Sequence, residues 1–288
     1  MLALPPEVSL REEPASAGSV PEVPGREEPG SKQGGPEESG PESSAVPRRE
    51  SARLQLALAQ QAKLALVGTR GRERMDRRWE AAEAYRAVRV HFPGEACLGA
   101  EGSFRAGELL RGGGDFELAL REFQHARELC PRGPFSARAV LEIGHLERRL
   151  GHTRAALDAY QELYAGAPVP ASLRDAAMLW AGRVHQSAGQ HEAAWRLWER
   201  TARGAEDPVN RVRAYDLLAL ALVEQRDLEG AAGMLERCRR ALHEVAQEET
   251  RLGERVRSAL VHMRVIATLR RSVAQRRGTL RIDGGEAE

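Results

Sequence analysis

Residues 100–133 read AEGSFRAGELLRGGGDFELALREFQHARELCPRG, and the spacing inside this stretch decides the architecture. A small residue, Gly107, is followed by Leu110, by a turn signal at Gly114, and then by Ala119, Phe123, Ala126 and Pro131. The same pattern returns along the chain. Ala81, Ala119, Ala156, Ala194 and Ala231 stand 38, 37, 38 and 37 residues apart, and Tyr85, Phe123, Tyr160, Trp198 and Leu235 follow them at four positions' distance. Twelve positions ahead of the last four alanines lie Gly107, Gly144, Gly182 and Ala219. Five positions ahead lie Gly114, Gly151, Gly189 and Arg226. A fixed period of this length marks a repeated supersecondary unit that buries its apolar face only against its neighbours. Each unit reads as two antiparallel helices: the first small residue permits close helix crossing, and the glycine after it permits a left-handed turn at a helix end.

This pattern resembles the tetratricopeptide repeat (TPR), over roughly residues 62–247, with 100–133 as the best match. The resemblance implies an all-α, right-handed superhelical solenoid with four full units and a partial first one. The period exceeds the family's usual 34 residues, and the extra residues fall at junctions such as Arg132-Gly133-Pro134-Phe135 and Ala165-Gly166-Ala167-Pro168. Junctions of this kind look like the bacterial repeats of outer-membrane assembly lipoproteins and of the Tol-Pal accessory protein.

Outward from the repeats, residues 1–50 hold 9 of the 15 prolines, 6 glycines and no aromatic residue. Such a composition buries too little apolar surface to offset the entropy of ordering, so 1–50 is expected to be a disordered tail. The repeat domain is expected over 51–247, a C-terminal capping helix over 248–277 and a second tail over 278–288. The amphipathic stretch 53–67, with Leu54, Leu58, Ala62 and Ala65 in its stripe, reads as an N-terminal cap or a short coiled-coil seam. The terminal helix carries a stripe of Leu252, Val256, Leu260, Met263 and Ala267. It also carries eight arginines against one acid over 251–277, of which Arg270, Arg271, Arg276 and Arg277 form a candidate anionic-partner patch.

The tail's charge of −5 leaves +6 on the remaining 238 residues, too mild a balance to imply nucleic acid or an anionic membrane. With no secretory signal pattern and no apolar run long enough to span a bilayer, a soluble cytoplasmic protein is expected. Cys97, Cys130 and Cys238, odd in number and far apart, read as reduced, buried thiols.

Catalytic signals are missing. The stretch His191-Glu192-Ala193-Ala194-Trp195 has Trp where a zinc motif needs its second histidine, and Gly112-Gly113-Gly114 has no strand before it and no Lys-Ser or Lys-Thr pair after it. No catalytic, cofactor-binding or metal-ligating residue is expected, and no cofactor. What the resemblance implies instead is a concave groove lined by the first helix of each unit. Mapped onto this sequence it runs through Glu101, Phe104, Arg105, Glu108 and Arg111, then Arg138, Leu141, Glu142, His145 and Arg148. It continues through Ala176, Leu179, Trp180, Arg183 and Gln186, and through Arg213, Asp216, Leu217, Leu220 and Val223. Phe104, Leu141 and Trp180 would be apolar anchors for a partner peptide and the flanking charges its hydrogen-bonding groups. Phe104, Glu108, Glu142, Ala176 and Trp180 stand where chaperone-binding members use basic and asparagine residues, so capture of a chaperone tail is not expected. The functional expectation is an adaptor that binds a protein or peptide partner. The alternatives are an envelope-assembly component and a nucleic-acid-associated regulator working through the C-terminal arginines.

Overall fold

The computed structural model describes residues 44–166 and 169–269. Residues 1–43 of the tail expected over 1–50, the arginines at 270, 271, 276 and 277 and the second tail therefore lie outside the described residues. Within them the chain is all-α, with no strand, and the helices pair as hairpins: α1 (Ala52–Leu64) with α2 (Gly71–His91), α3 (Ala96–Gly113) with α4 (Phe116–Leu129), α5 (Ser136–Leu150) with α6 (Thr153–Ala165), α7 (Ala171–Ser187) with α8 (His191–Gly204), and α9 (Pro208–Glu224) with α10 (Leu228–Ala241). Each hairpin packs on the next, and α11 (His243–Gln247) and α12 (Arg251–Val261) follow.

Backbone geometry accounts for the periodic turns. Gly114, Gly151 and Gly189 have φ of +99°, +87° and +75°, and Arg226 holds the equivalent position at +65°. Past each, a backbone N–H closes the end of the first helix: Asp115 onto the Leu110 carbonyl (3.1 Å), and His152 onto Glu147, Gln190 onto His185 and Asp227 onto Leu222 (each 2.9 Å). These are the six-to-one bonds of a Schellman ending, which satisfies carbonyls the helix cannot. The chain reverses within two residues and the second helix starts at once.

The small residues ahead of the turns have a single purpose. A Cβ built on Gly107 would lie 2.9 Å from the Phe123 ring, on Gly144 2.5 Å from Tyr160, and on Gly182 2.3 Å from Trp198. Each of these three rings thus packs against the glycine of its own first helix. The last unit changes both partners together, with Ala219 in place of glycine and Leu235 in place of the ring. The five anchoring alanines are all buried, as are the four aromatics.

Five features differ from the sequence expectations. First, Cys97 and Cys130 are joined in a disulfide with a Cα–Cα distance of 5.0 Å. Cys97 begins α3 and Cys130 follows the end of α4, so an antiparallel hairpin brings residues 33 apart to the same end. Only Cys238 is a free buried thiol, and burial pushes its pKa up to about 12. Second, the first unit, expected to be partial, is a full hairpin, because α2 begins at Gly71 and pairs with α1. Third, α1 buries Ala52, Gln55 and Ala59 with Leu56 and Ala62 packed against the core, while Leu54 is 51% exposed, so the stripe keeps Ala62 of the expected one and turns Leu54 outward. Small alanines let α1 lie close to α2, and close approach outweighs leucine's greater apolar area. Fourth, residues 44–50 pack against the first hairpin: the Arg49 N–H donates to Gln55 Oε1 (2.9 Å), the Val46 carbonyl lies 2.7 Å from His91 Nε2, and the Arg48 guanidinium sits 5.0 Å from the Phe92 ring centroid. Fifth, the terminal helix is not continuous. α12 starts after a Thr250 cap and stops at Val261, a new helical turn spans 264–269, and the break exposes Ala267 while burying Val265.

Candidate functional site: the concave groove

The groove positions of α3, α5 and α7 form two aromatic platforms covered by arginines. In the first, Phe104 and Phe135 lie 5.2 Å apart, and Phe104 meets Phe123 edge-on at 5.4 Å. The Arg138 guanidinium sits 4.9 Å from the Phe104 centroid and that of Arg105 5.4 Å from Phe135. Phe104 itself is only 1% exposed. It is a core ring under the arginines and not the accessible anchor that the sequence reading made it. Leu141 is half-buried and packs on the same core.

One unit further on, half-buried Trp180 carries Arg148 at 4.9 Å and Arg183 at 4.6 Å from its centroid, with the His145 ring edge-on at 4.9 Å. His145 Nδ1 is 2.8 Å from the Tyr160 hydroxyl, which also bonds the Arg148 side chain. Arginine can only donate, so the hydroxyl accepts from Arg148, and a neutral imidazole meets it at Nδ1. The electrostatics agree: burial first, then the charges of Arg148 and Arg111, lower the His145 pKa to about 4. Burial likewise holds the Tyr160 pKa well above its ordinary value.

The charges divide into paired and unpaired sets. Arg105 is shared between Glu108 (3.0 Å) and Glu101 (3.9 Å) on its own helix, Arg111 pairs with Glu142 across to α5, and Gln186 donates to Glu224 (2.7 Å) across to α9. Burial raises the Glu142 pKa, and the charge of Arg111 works against that rise. Arg138, Arg148 and Arg183 have no carboxylate oxygen within 4.0 Å among the described residues. Burial and the like charges of Arg264 and Arg148 lower the Arg183 pKa.

Of the groove residues expected from the sequence, Glu101, Phe104, Arg105, Glu108, Arg138, Leu141, Glu142, His145, Trp180 and Arg183 come together on this surface. Arg213 does not. Its guanidinium bonds Asn210 Oδ1 (3.1 Å), and it lines a cavity of about 400 Å³ between α9 and α12 with Asp216, Arg255 and His262. Phe135 was missed because it belongs to a junction and not to a helix position; its place one residue ahead of α5 is the signal that would have found it. Arg264 was missed because the break after α12 is what carries it towards α7.

A stacked array of helical hairpins of this kind is a TPR-like solenoid. Solved structures agree on that fold. A structure of MamA is similar, with a TM-score of 0.51 at 20% identity over 69% of this chain and 96% of that one. MamA from residue 41 to its end, from Desulfovibrio magneticus RS-1, gives 0.50 at 17% over 69% and 99%. The TPR-like repeats of a putative kinesin light chain from Podosopora anserina give 0.52 at 14% over 69% and 100%. At these identities the likeness is one of fold alone, and it lends no support to the resemblance to outer-membrane assembly or Tol-Pal proteins. No protein-family model and no curated protein sequence matches the chain. Among the described residues no helix is long and apolar enough to cross a membrane.

Proposed function

We propose that this chain is a non-enzymatic interaction scaffold that holds an acidic segment of a partner protein along α3, α5 and α7. One observation carries the reading: Arg138, Arg148 and Arg183 lie over aromatic rings on the groove face, and among the described residues none of the three has a carboxylate oxygen within 4.0 Å. A guanidinium stacked on a ring has lost most of its rotamer freedom before a ligand arrives, so a bidentate bond to a carboxylate costs less ordering. Charge-assisted bonds of this kind, beside a half-buried tryptophan, are typical of the few residues that dominate an interface. Selection of displayed peptides on the native chain, with counter-selection on an Arg148→Glu, Arg183→Glu variant, tests it. Enrichment of Asp- and Glu-bearing peptides specific to the native chain is expected; peptides indifferent to the two substitutions would refute the reading.

A second reading, an envelope-assembly component, has the Cys97–Cys130 disulfide in its favour, because such bonds persist in oxidising compartments and are rare in the cytoplasm. Peptide mapping of protein alkylated inside intact cells separates the two. A linked 97–130 pair fits the envelope, and two alkylated thiols fit the cytoplasm.

A further inference from the structure

The groove is not open over α9. The helical turn 264–269 lies against it, and Asp216 Oδ1 accepts a buried hydrogen bond of 2.9 Å from the Val265 N–H, 49 residues away in sequence. The Arg264 amide bonds the same carboxylate. Asp216 is a groove position of α9, yet it caps the start of another segment's helical turn. A helix ordinarily takes its cap from the residue just before it, whose side chain bonds the free N–H groups and whose charge suits the positive end of the helix. Met263 has no such group, so the groove supplies it.

Apolar contacts complete the seat. Val265 is 0% exposed and Met263 4%, both in the core cluster of Val212 and Leu218, and Leu217, Leu220, Ile266 and Leu269 pack against that cluster. Opposing this, Arg264 adds a like charge to the site of Arg183, whose pKa is lowered first by burial and then by the charges of Arg264 and Arg148. A short helical segment with its N–H groups held by a groove carboxylate and its apolar side turned inward is bound as a peptide ligand is bound.

We infer that the α7–α9 part of the groove is a binding site for a short apolar helical segment, held at its N-terminal end by Asp216. Residues 263–269 fill it as a resident ligand that an incoming segment of the same kind displaces. This rests on the groove being the partner-binding face but not on the arginine platforms, so platforms that bind nothing leave it standing.

The test uses the full chain carrying Val265→Asp and Ile266→Asp, which frees the resident segment and leaves the groove wall intact. The probe is a fluorescently labelled synthetic peptide of residues 261–269. The altered chain is expected to bind the probe at least about tenfold more tightly than the native chain, since a seated competitor reduces the competent fraction. Adding Asp216→Ala is expected to weaken that binding about tenfold. A folded altered chain that binds no better than the native one overturns the inference. Should that chain fail to fold, hydrogen exchange on the native chain decides. A Val265 amide exchanging about a hundredfold faster than that of Leu218 shows the segment opening by itself, and equal rates make it a fixed part of the core and overturn displacement.

Discussion

Arg226 holds a left-handed backbone at φ +65° where three other hairpins use glycine. A side chain there costs on the order of 1 kcal/mol that glycine does not. Arg226→Gly is therefore expected to raise unfolding stability by about 0.5–1 kcal/mol, and Gly151→Ala to lower it by about 1 kcal/mol, both read from urea melts. His145 gives a pH dependence. It titrates near 6.5 when unfolded and near 4 in place, so between those values the unfolded chain binds the extra proton. Its contribution to stability is complete above about pH 6.5 and is lost as pH falls towards 4, on the order of 2 kcal/mol by about pH 4.5. Carboxylates with raised pKa values, Glu142 and Asp216, oppose that slope. A comparison of native chain with His145→Gln isolates the histidine, and the substituted chain is expected to lose less stability on acidification. An identical pH profile would mean that His145 is not held neutral by burial.

Within a hairpin, the glycine and the ring behave as one unit. Gly182→Ala places a Cβ 2.3 Å from Trp198 Nε1, whose N–H is committed to the Leu179 carbonyl at 3.1 Å, so a loss of about 1–3 kcal/mol is expected. Combining it with Trp198→Leu recreates the Ala219 and Leu235 pairing of the last unit, and the two losses are expected to be less than additive in a double-mutant cycle. The disulfide closes α3 and α4 at their shared end, and its loop length predicts that Cys97→Ser with Cys130→Ser costs about 4 kcal/mol in oxidised protein. The hairpins were legible because the ring, the small residue under it and the glycine turn each constrain one sequence position. The disulfide was not, since the cysteines were weighed by number and separation and not by which hairpin end they occupy. The C-terminal break was also hidden. Neither glycine nor proline marks residues 262–263, and the apolar stripe runs on through them; Asp216, 46 positions upstream of His262, is what favours a new helix start there.

Across the molecule, the face made by the first helices of the hairpins is divided. Over α3, α5 and α7 it presents arginines laid on rings, and over α9 it is covered by the chain's own residues 251–269. The list of groove positions was legible from the repeat register, because helical period alone fixes which residues share a face. Which of them stay accessible was not, because that depends on Phe104 sinking beneath Arg138 and on a C-terminal segment folding back. The central claim is that the open part holds an acidic partner segment. It is tested most directly by capture from lysate of the source cell on the full chain, native against an Arg138→Glu, Arg183→Glu variant of unchanged helicity by circular dichroism. A protein retained by the native chain and lost from the variant, with its contact mapped to an acidic stretch, is the predicted result. The same proteins retained by both would contradict the account.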